Sequence, residues 1–140
     1  MKFTLNSSDR NSFICSLSKI EEGKKWFGFI YHSKQLKYYS INCLMNGLKI
    51  EIGQCALKSI DSNLDCSFFI HPEYRRLGLA RSFVRYMINK NENIRFTVSQ
   101  FNQPSKALFS SIQELKVIRC EMEIRTMIYG NPVDINDRLN

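Results

Sequence analysis

Apolar and polar positions change period several times along the 140 residues, and each change marks an element. Residues 3–5 predict a short first strand. Phe13, Ile14, Leu17 and Ile20 recur near helical spacing. They predict a helix capped by Ser7 or Ser8, running to about Glu22 and ended by Gly23. Residues 26–31 are aromatic and apolar, and their pattern does not decide between helix and strand. Residues 38–45, Asn46-Gly47 and residues 48–58 predict a β-hairpin, because both flanks hold β-formers and Asn-Gly accepts the positive φ of a type I′ turn. Leu48, Ile50 and Ile52 alternate with Lys49, Glu51 and Gly53, so one face is expected buried and the other wet. After the turn Asp61-Ser62-Asn63, residues 64–70 read as a nearly continuous apolar strand. A helix follows from Arg76 or Leu77 to Asn89, with Ala80, Phe83, Val84, Met87 and Ile88 in one stripe opposite Arg81, Arg85 and Asn89. Residues 94–99 read as strand, 105–114 as a short helix, and 116–129 as one or two strands.

A strand–helix–strand unit after an antiparallel meander predicts an α/β (α+β) fold with a mixed sheet rather than a purely parallel one. No repeat or linker interrupts the chain, so residues 1–130 are expected to form a single domain and residues 131–140 a polar C-terminal tail. With 44% apolar and 24% charged residues the composition is that of an ordinary globular protein. No apolar run approaches the roughly 18 residues of a membrane span. The N-terminus turns polar after Leu5, without a signal-peptide apolar region. A cytoplasmic protein with no membrane partner is the expectation. Cys15, Cys43, Cys55, Cys66 and Cys120 stand singly, and neither His32 nor His71 has zinc-ligand spacing. Reduced, buried thiols and no metal are expected.

Charge changes the picture. Twenty Lys and Arg against thirteen Asp and Glu give +7, which suits a nucleic acid, an acidic substrate or a phosphorylated cofactor. The densest part is residues 75–91, with five basic residues and no acidic one. There an apolar strand stops at Pro72, Arg75 and Arg76 occupy a short turn, and Gly78 and Ala80 open the amphipathic helix. Such a helix start is an anion cradle. Its first amide N–H groups lack intrahelical partners, and the helix dipole adds positive charge. A glycine lets a phosphate approach the backbone. A capped helix with a solvated basic face is the plainer alternative; the ordered setting of strand, His-Pro-Glu-Tyr turn, Arg-x-x-Gly-x-Ala and helix favours the cradle.

At these residues the sequence resembles the GNAT superfamily of acyl-CoA-dependent N-acyltransferases. Ile70-His71-Pro72-Glu73-Tyr74-Arg75 with Gly78 and Ala80 is similar to that family's motif A, and Asn102-x-x-Ser105-x-x-Leu108-Phe109 to its motif B. Together they span residues 64–112 in the family's order. The resemblance implies a mostly antiparallel sheet with splayed central strands and flanking helices. It implies acetyl-CoA as co-substrate, its pyrophosphate on the amides of Arg76, Leu77, Gly78, Leu79, Ala80 and Arg81, with Arg75 adding charge. The pantetheine arm would pair with the backbone of Phe68 and Ile70, on either side of Phe69, with Asn102 and Phe109 beside it. The implied chemistry is direct attack of an amine on the thioester carbonyl, which a backbone N–H near Ile70 polarises.

Phe109 departs from the family, many of whose members place a tyrosine there to protonate the leaving thiolate. Ser110, Ser111, Tyr129 or water are the alternatives for that proton. Asp65, Glu51 and His71 are candidate bases by strand position, each also readable as a solvated residue. The acceptor amine is expected on a small molecule or protein. The basic cluster Lys24, Lys25, His32, Lys34 and Lys37 would suit an acidic protein surface, a phosphorylated small molecule or RNA, and a solvated loop explains it equally well. The leading expectation is an N-acetyltransferase, monomeric or homodimeric. A non-catalytic GNAT-fold protein that binds CoA or a macromolecule is the alternative. A nucleic-acid module is not favoured, since neither an aromatic–basic platform nor a recognition helix stands out.

Overall fold

The computed structural model describes residues 2–30, 36–60, 62–75, 77–99, 102–113, 115–121 and 126–130. They form a mixed α/β structure of two compact units interleaved along the chain, Met1–Lys58 with Ser67–Tyr86, and Ser59–Cys66 with Met87–Asn140. The tail predicted at 131–140 lies outside the described residues.

In the first unit, β1 (Lys2–Ser8) pairs antiparallel with β2 (Lys37–Met45), and β2 with β3 (Leu48–Ile60). Asn46 and Gly47 hold φ of 51° and 78°, the type I′ turn their chemistry predicts. β3 lies next to the downstream half of β4 (Asn63–Ile70). Ile41 faces Gly53 and Asn42 faces Glu51, so Ile52 is the extra residue of a β-bulge. One residue on, a Cβ at Gly53 would fall 2.1 Å from the Phe69 carbonyl oxygen, so β4 comes this close only because β3 has no side chain there.

Helices α1 (Arg10–Ser18) and α2 (Glu21–Ile30) cover one face of this sheet, where Phe13, Leu17, Ala56 and Phe69 are buried against Trp26, Phe27 and Tyr38. Phe68 points to the other face by strand alternation. It meets Phe83 of α3 (Leu79–Lys90) edge-on at 5.1 Å, and Phe3 meets the same ring at 5.8 Å. Phe83, Val84 and Met87 of the predicted stripe are buried, while Arg81, Arg85 and Asn89 are exposed.

In the second unit, β4 pairs parallel with β5 (Ile94–Ser99) over Leu64, Asp65 and Cys66, three of its eight residues. β5 pairs antiparallel with β7 (Thr126–Gly130), and β7 with β6 (Lys116–Glu121). Helix α4 (Gln103–Ser110) carries Phe109 into a stack between Phe96 and Tyr129, with ring centroids 5.2 Å apart on each side.

Several local expectations are corrected. Ser7 and Ser8 belong to β1, and Asp9 caps α1 by accepting from the Ser12 N–H at 2.8 Å. The predicted first helix is two helices, and residues 26–30 lie in the second. Gly23 sits inside α2 rather than ending α1. A Cβ there would be 3.0 Å from the Leu17 carbonyl oxygen, so the missing side chain lets the two helices pack. Leu48 is 66% exposed at the hairpin end, and the buried run of β3 starts at Ile52. Cys15 is exposed, unlike Cys43, Cys55 and Cys66. The fourth helix starts two residues earlier than its period suggests, because Asn102 caps it by accepting from the Ser105 N–H at 3.2 Å.

Candidate functional site

Gly78 stands immediately before α3 with φ +73°, a left-handed conformation that side chains resist. The Ser82 N–H bonds back to its carbonyl at 3.1 Å, the first bond of the helix. The N–H groups of Leu79, Ala80 and Arg81 therefore have no intrahelical partner. Among the described residues, a Cβ added at Gly78 would meet nothing within 4 Å beyond its chain neighbours. Leu79 is buried and fixes the helix start, whereas Leu77, Gly78 and Arg81 are exposed and Ala80 is half-buried. Converging donors, a positive helix end and open space beside a glycine suit a phosphate-bearing ligand. Arg76 lies outside the described residues.

Arg75 is employed otherwise. Its Nε donates to the Ile70 carbonyl at 3.0 Å, its Nη1 pairs with Glu22 of α2, and its guanidinium lies 5.2 Å from the Phe69 ring centroid. It braces the end of β4 against α2. The His71 N–H bonds to Ile52 of β3 at 2.8 Å, so by strand alternation the backbone groups of Phe68 and Ile70 face away from β3. Phe69 is buried, with Trp26 stacked at 6.0 Å.

The His71 ring lies 6.0 Å from Phe69 and 6.4 Å from Tyr74, and its Nε2 is 2.8 Å from Oε1 of Gln54 on β3. Burial lowers the His71 pKa below the usual histidine value and Arg75 adds to this, against the opposing pull of Glu51 and Glu73. Gln54 is 1% exposed, and its Nε2 has no hydrogen-bond partner among the described residues.

No protein-family model matches the chain, and no curated protein matches it. Solved structures do. The ribosomal L7/L12 alpha-N-protein acetyltransferase is similar at a TM-score of 0.61 and 11% identity, over 94% of this chain and 90% of that one. A chimera of the Vibrio cholerae spermidine N-acetyltransferase with hSSAT is similar at 0.57 and 18%, over 98% and 99%. The Escherichia coli ribosomal-protein-S18-alanine N-acetyltransferase is similar at 0.54 and 15%, over 94% of each. The chain has the GNAT fold.

Within that GNAT fold, the structure brings Glu51, His71 and Arg75 to one end of β4 in the first unit, with Phe68, Phe69, Ile70 and the Gly78 turn. Asp65 and the candidates from residue 102 onward belong to the second unit. Asp65 accepts from the Thr97 hydroxyl at 2.7 Å. Asn102 is the α4 cap, and Ser110 is exposed at the end of that helix. Tyr129 is 2% exposed on Phe109, itself 1% exposed. Among the described residues no group of three or more His, Cys, Asp or Glu could hold a metal, and no helix is long and apolar enough to cross a membrane. Sequence reading missed Gln54 and Glu22. Gln54 carried a signal, as a polar residue sharing strand parity with the buried Ala56.

Proposed function

We propose that this chain is an N-acetyltransferase that moves the acetyl group of acetyl-CoA to a primary amine. The observation that carries the reading is Gly78, held at positive φ at the head of α3 with open space where its side chain would be. The amides of residues 77–81 bind the pyrophosphate, with Arg81 adding charge, and Arg76 is proposed to join them. The β4 backbone at Phe68 and Ile70, which faces away from β3, takes the pantetheine arm as an added strand. Acetyl-CoA supplies an activated carbonyl and a thiolate that leaves readily. The Ile70 N–H polarises that carbonyl.

His71 takes the proton from the incoming ammonium. Burial holds its pKa below the ordinary histidine value, which favours the neutral imidazole, the form that can accept a proton. Glu51 is exposed, and Asp65 is already engaged by Thr97. The thiolate draws its proton from water, since Phe109 has none to give. The acceptor is read as an amine on a small molecule or a protein. Lys25 and Lys37, exposed on α2 and at the start of β2, favour one with acidic or phosphorylated groups. A binding-only GNAT-fold protein is the second reading, favoured by the buried phenyl ring at Phe109.

Calorimetric titration with acetyl-CoA tests the cradle. The wild type is expected to bind in the micromolar range, and Gly78→Glu, which sets a carboxylate in the open space, to abolish binding. Failure of the folded wild type to bind refutes both readings. Thiol release with any of a panel of polyamines, amino-terminal peptides and phosphorylated amines supports the transferase, and binding without release supports the second reading.

A further inference from the structure

We propose that Gln54 is a positioning residue for His71: its amide oxygen holds the His71 Nε2–H, leaving the Nδ1 lone pair to receive the proton of the amine. This rests on the reading above, in which His71 is the base. The geometry is local to β3 and the end of β4. The Ile52 carbonyl fixes the His71 backbone at 2.8 Å, and Gln54 Oε1 meets the ring at 2.8 Å, so β3 holds this residue at both ends. The bulge at Ile52 and the side-chain-free contact at Gly53 bring the two strands into that register.

Packing alone does not account for an amide at this position. Residues 52–56 are all buried, and Gln54 is the polar one among them. Its Nε2 has no partner among the described residues, an arrangement that costs the fold stability and that an apolar side chain of the same bulk would avoid. Holding a histidine by one nitrogen so that the other acts is such an end.

The proton step balances simply. One ammonium proton moves to Nδ1, the imidazolium keeps its Nε2–H on Gln54, and the extra proton returns to water between turnovers; the nitrogen sheds its second proton to water once the C–N bond has formed, and water protonates the departing thiolate. The charged groups around the ring are Glu51 from β3, Glu73 from the turn after β4, and Arg75, which Glu22 of α2 pairs.

Two substitutions in the full chain move His71 in opposite directions. Gln54→Glu puts a carboxylate on Nε2–H and is expected to raise the His71 titration midpoint by about one pH unit or more. Gln54→Met keeps the bulk, removes the acceptor and is expected to lower it. NMR titration reads both, and His32 is the only other histidine to assign. At high pH the wild-type ring is expected to carry its proton on Nε2. The acidic limb of the kcat/KM profile is expected to follow the midpoint in each variant. An unmoved midpoint in the folded Gln54→Met protein overturns the pairing, whether or not Gln54→Glu folds. A midpoint that moves while the limb stays overturns the positioning role. Acetyl-CoA affinity, measured alongside, is expected to be unchanged. If the wild type binds no acetyl-CoA, the transferase reading fails by itself, and the NMR result still decides the Gln54–His71 pair.

Discussion

Replacing Gly78 by alanine places a Cβ on a backbone held at φ +73°, with no atom of the described residues beyond its chain neighbours within 4 Å. The cost to the fold is therefore conformational strain alone, about 1–2 kcal/mol for an L-residue in the left-handed region. Stability of about 5–15 kcal/mol absorbs this. At roughly 2–4 °C per kcal/mol for a chain near this size, Tm is expected to fall by about 2–8 °C. The new methyl group also occupies space assigned to the pyrophosphate, so acetyl-CoA affinity is expected to fall about tenfold or more, equivalent to ~1.4 kcal/mol. Gly47→Ala is the matched control, because Gly47 has φ +78°, the same open surroundings and a place in the hairpin turn. It should lower Tm similarly and leave affinity unchanged. Thermal melts and calorimetry on the two proteins measure both effects. Equal melting losses with wild-type affinity in both would refute the assignment of the space beside Gly78 to the cofactor.

Gly53→Ala forces a Cβ to 2.1 Å from a backbone oxygen, and denaturant titration should show a loss of at least about 1–3 kcal/mol, since the strand itself must move. A double-mutant cycle of Arg75→Met with Glu22→Gln should give a coupling of only about 0–1 kcal/mol, because the partners are 40% and 58% exposed. Arg75→Met alone should cost more, about 1–3 kcal/mol, because it also strips the Ile70 carbonyl of its donor. Phe109→Tyr inserts a hydroxyl into a site 1% exposed, and a loss of about 1–3 kcal/mol is expected for leaving it unbonded. Its kcat should stay within about threefold of wild type; a tenfold rise with a new alkaline limb would show that proton supply to the thiolate was limiting. The Asp9 pKa is lowered from its ordinary 3.8, chiefly by the Ser12 N–H. The support this cap gives α1 is complete above that ordinary value and is lost as pH falls through the lowered one, a dependence Asp9→Asn should remove from acid-unfolding curves.

Local chemistry explains why much of this fold can be read directly. Asn46-Gly47 makes its turn because both residues tolerate positive φ, and α3 declares itself through Phe83, Val84 and Met87 at helical spacing. The strand end, the glycine and the helix start of the proposed cradle are legible for the same reason, since they are consecutive. The α1 cap was not. Ser7, Ser8 and Asp9 are all good caps, and the choice falls to Asp9 because β2 pairs with β1 through Ser7 and Ser8. Gly23 misled likewise: its lack of a side chain serves helix packing against Leu17, a contact without local signature.

The sequence by itself determined the hairpin, the stripe of α3, the basic segment and the glycine at the head of that helix, because each depends on neighbours within a few residues. The tertiary structure decided which side chains meet. Arg75 is spent on Glu22 and the Ile70 carbonyl, 53 and five residues away, and His71 is held by Gln54, 17 residues away. A bulge at Ile52 and a backbone contact at Gly53 set the latter meeting. Strand register turns a one-residue shift into a change of face, and no local pattern encodes that shift.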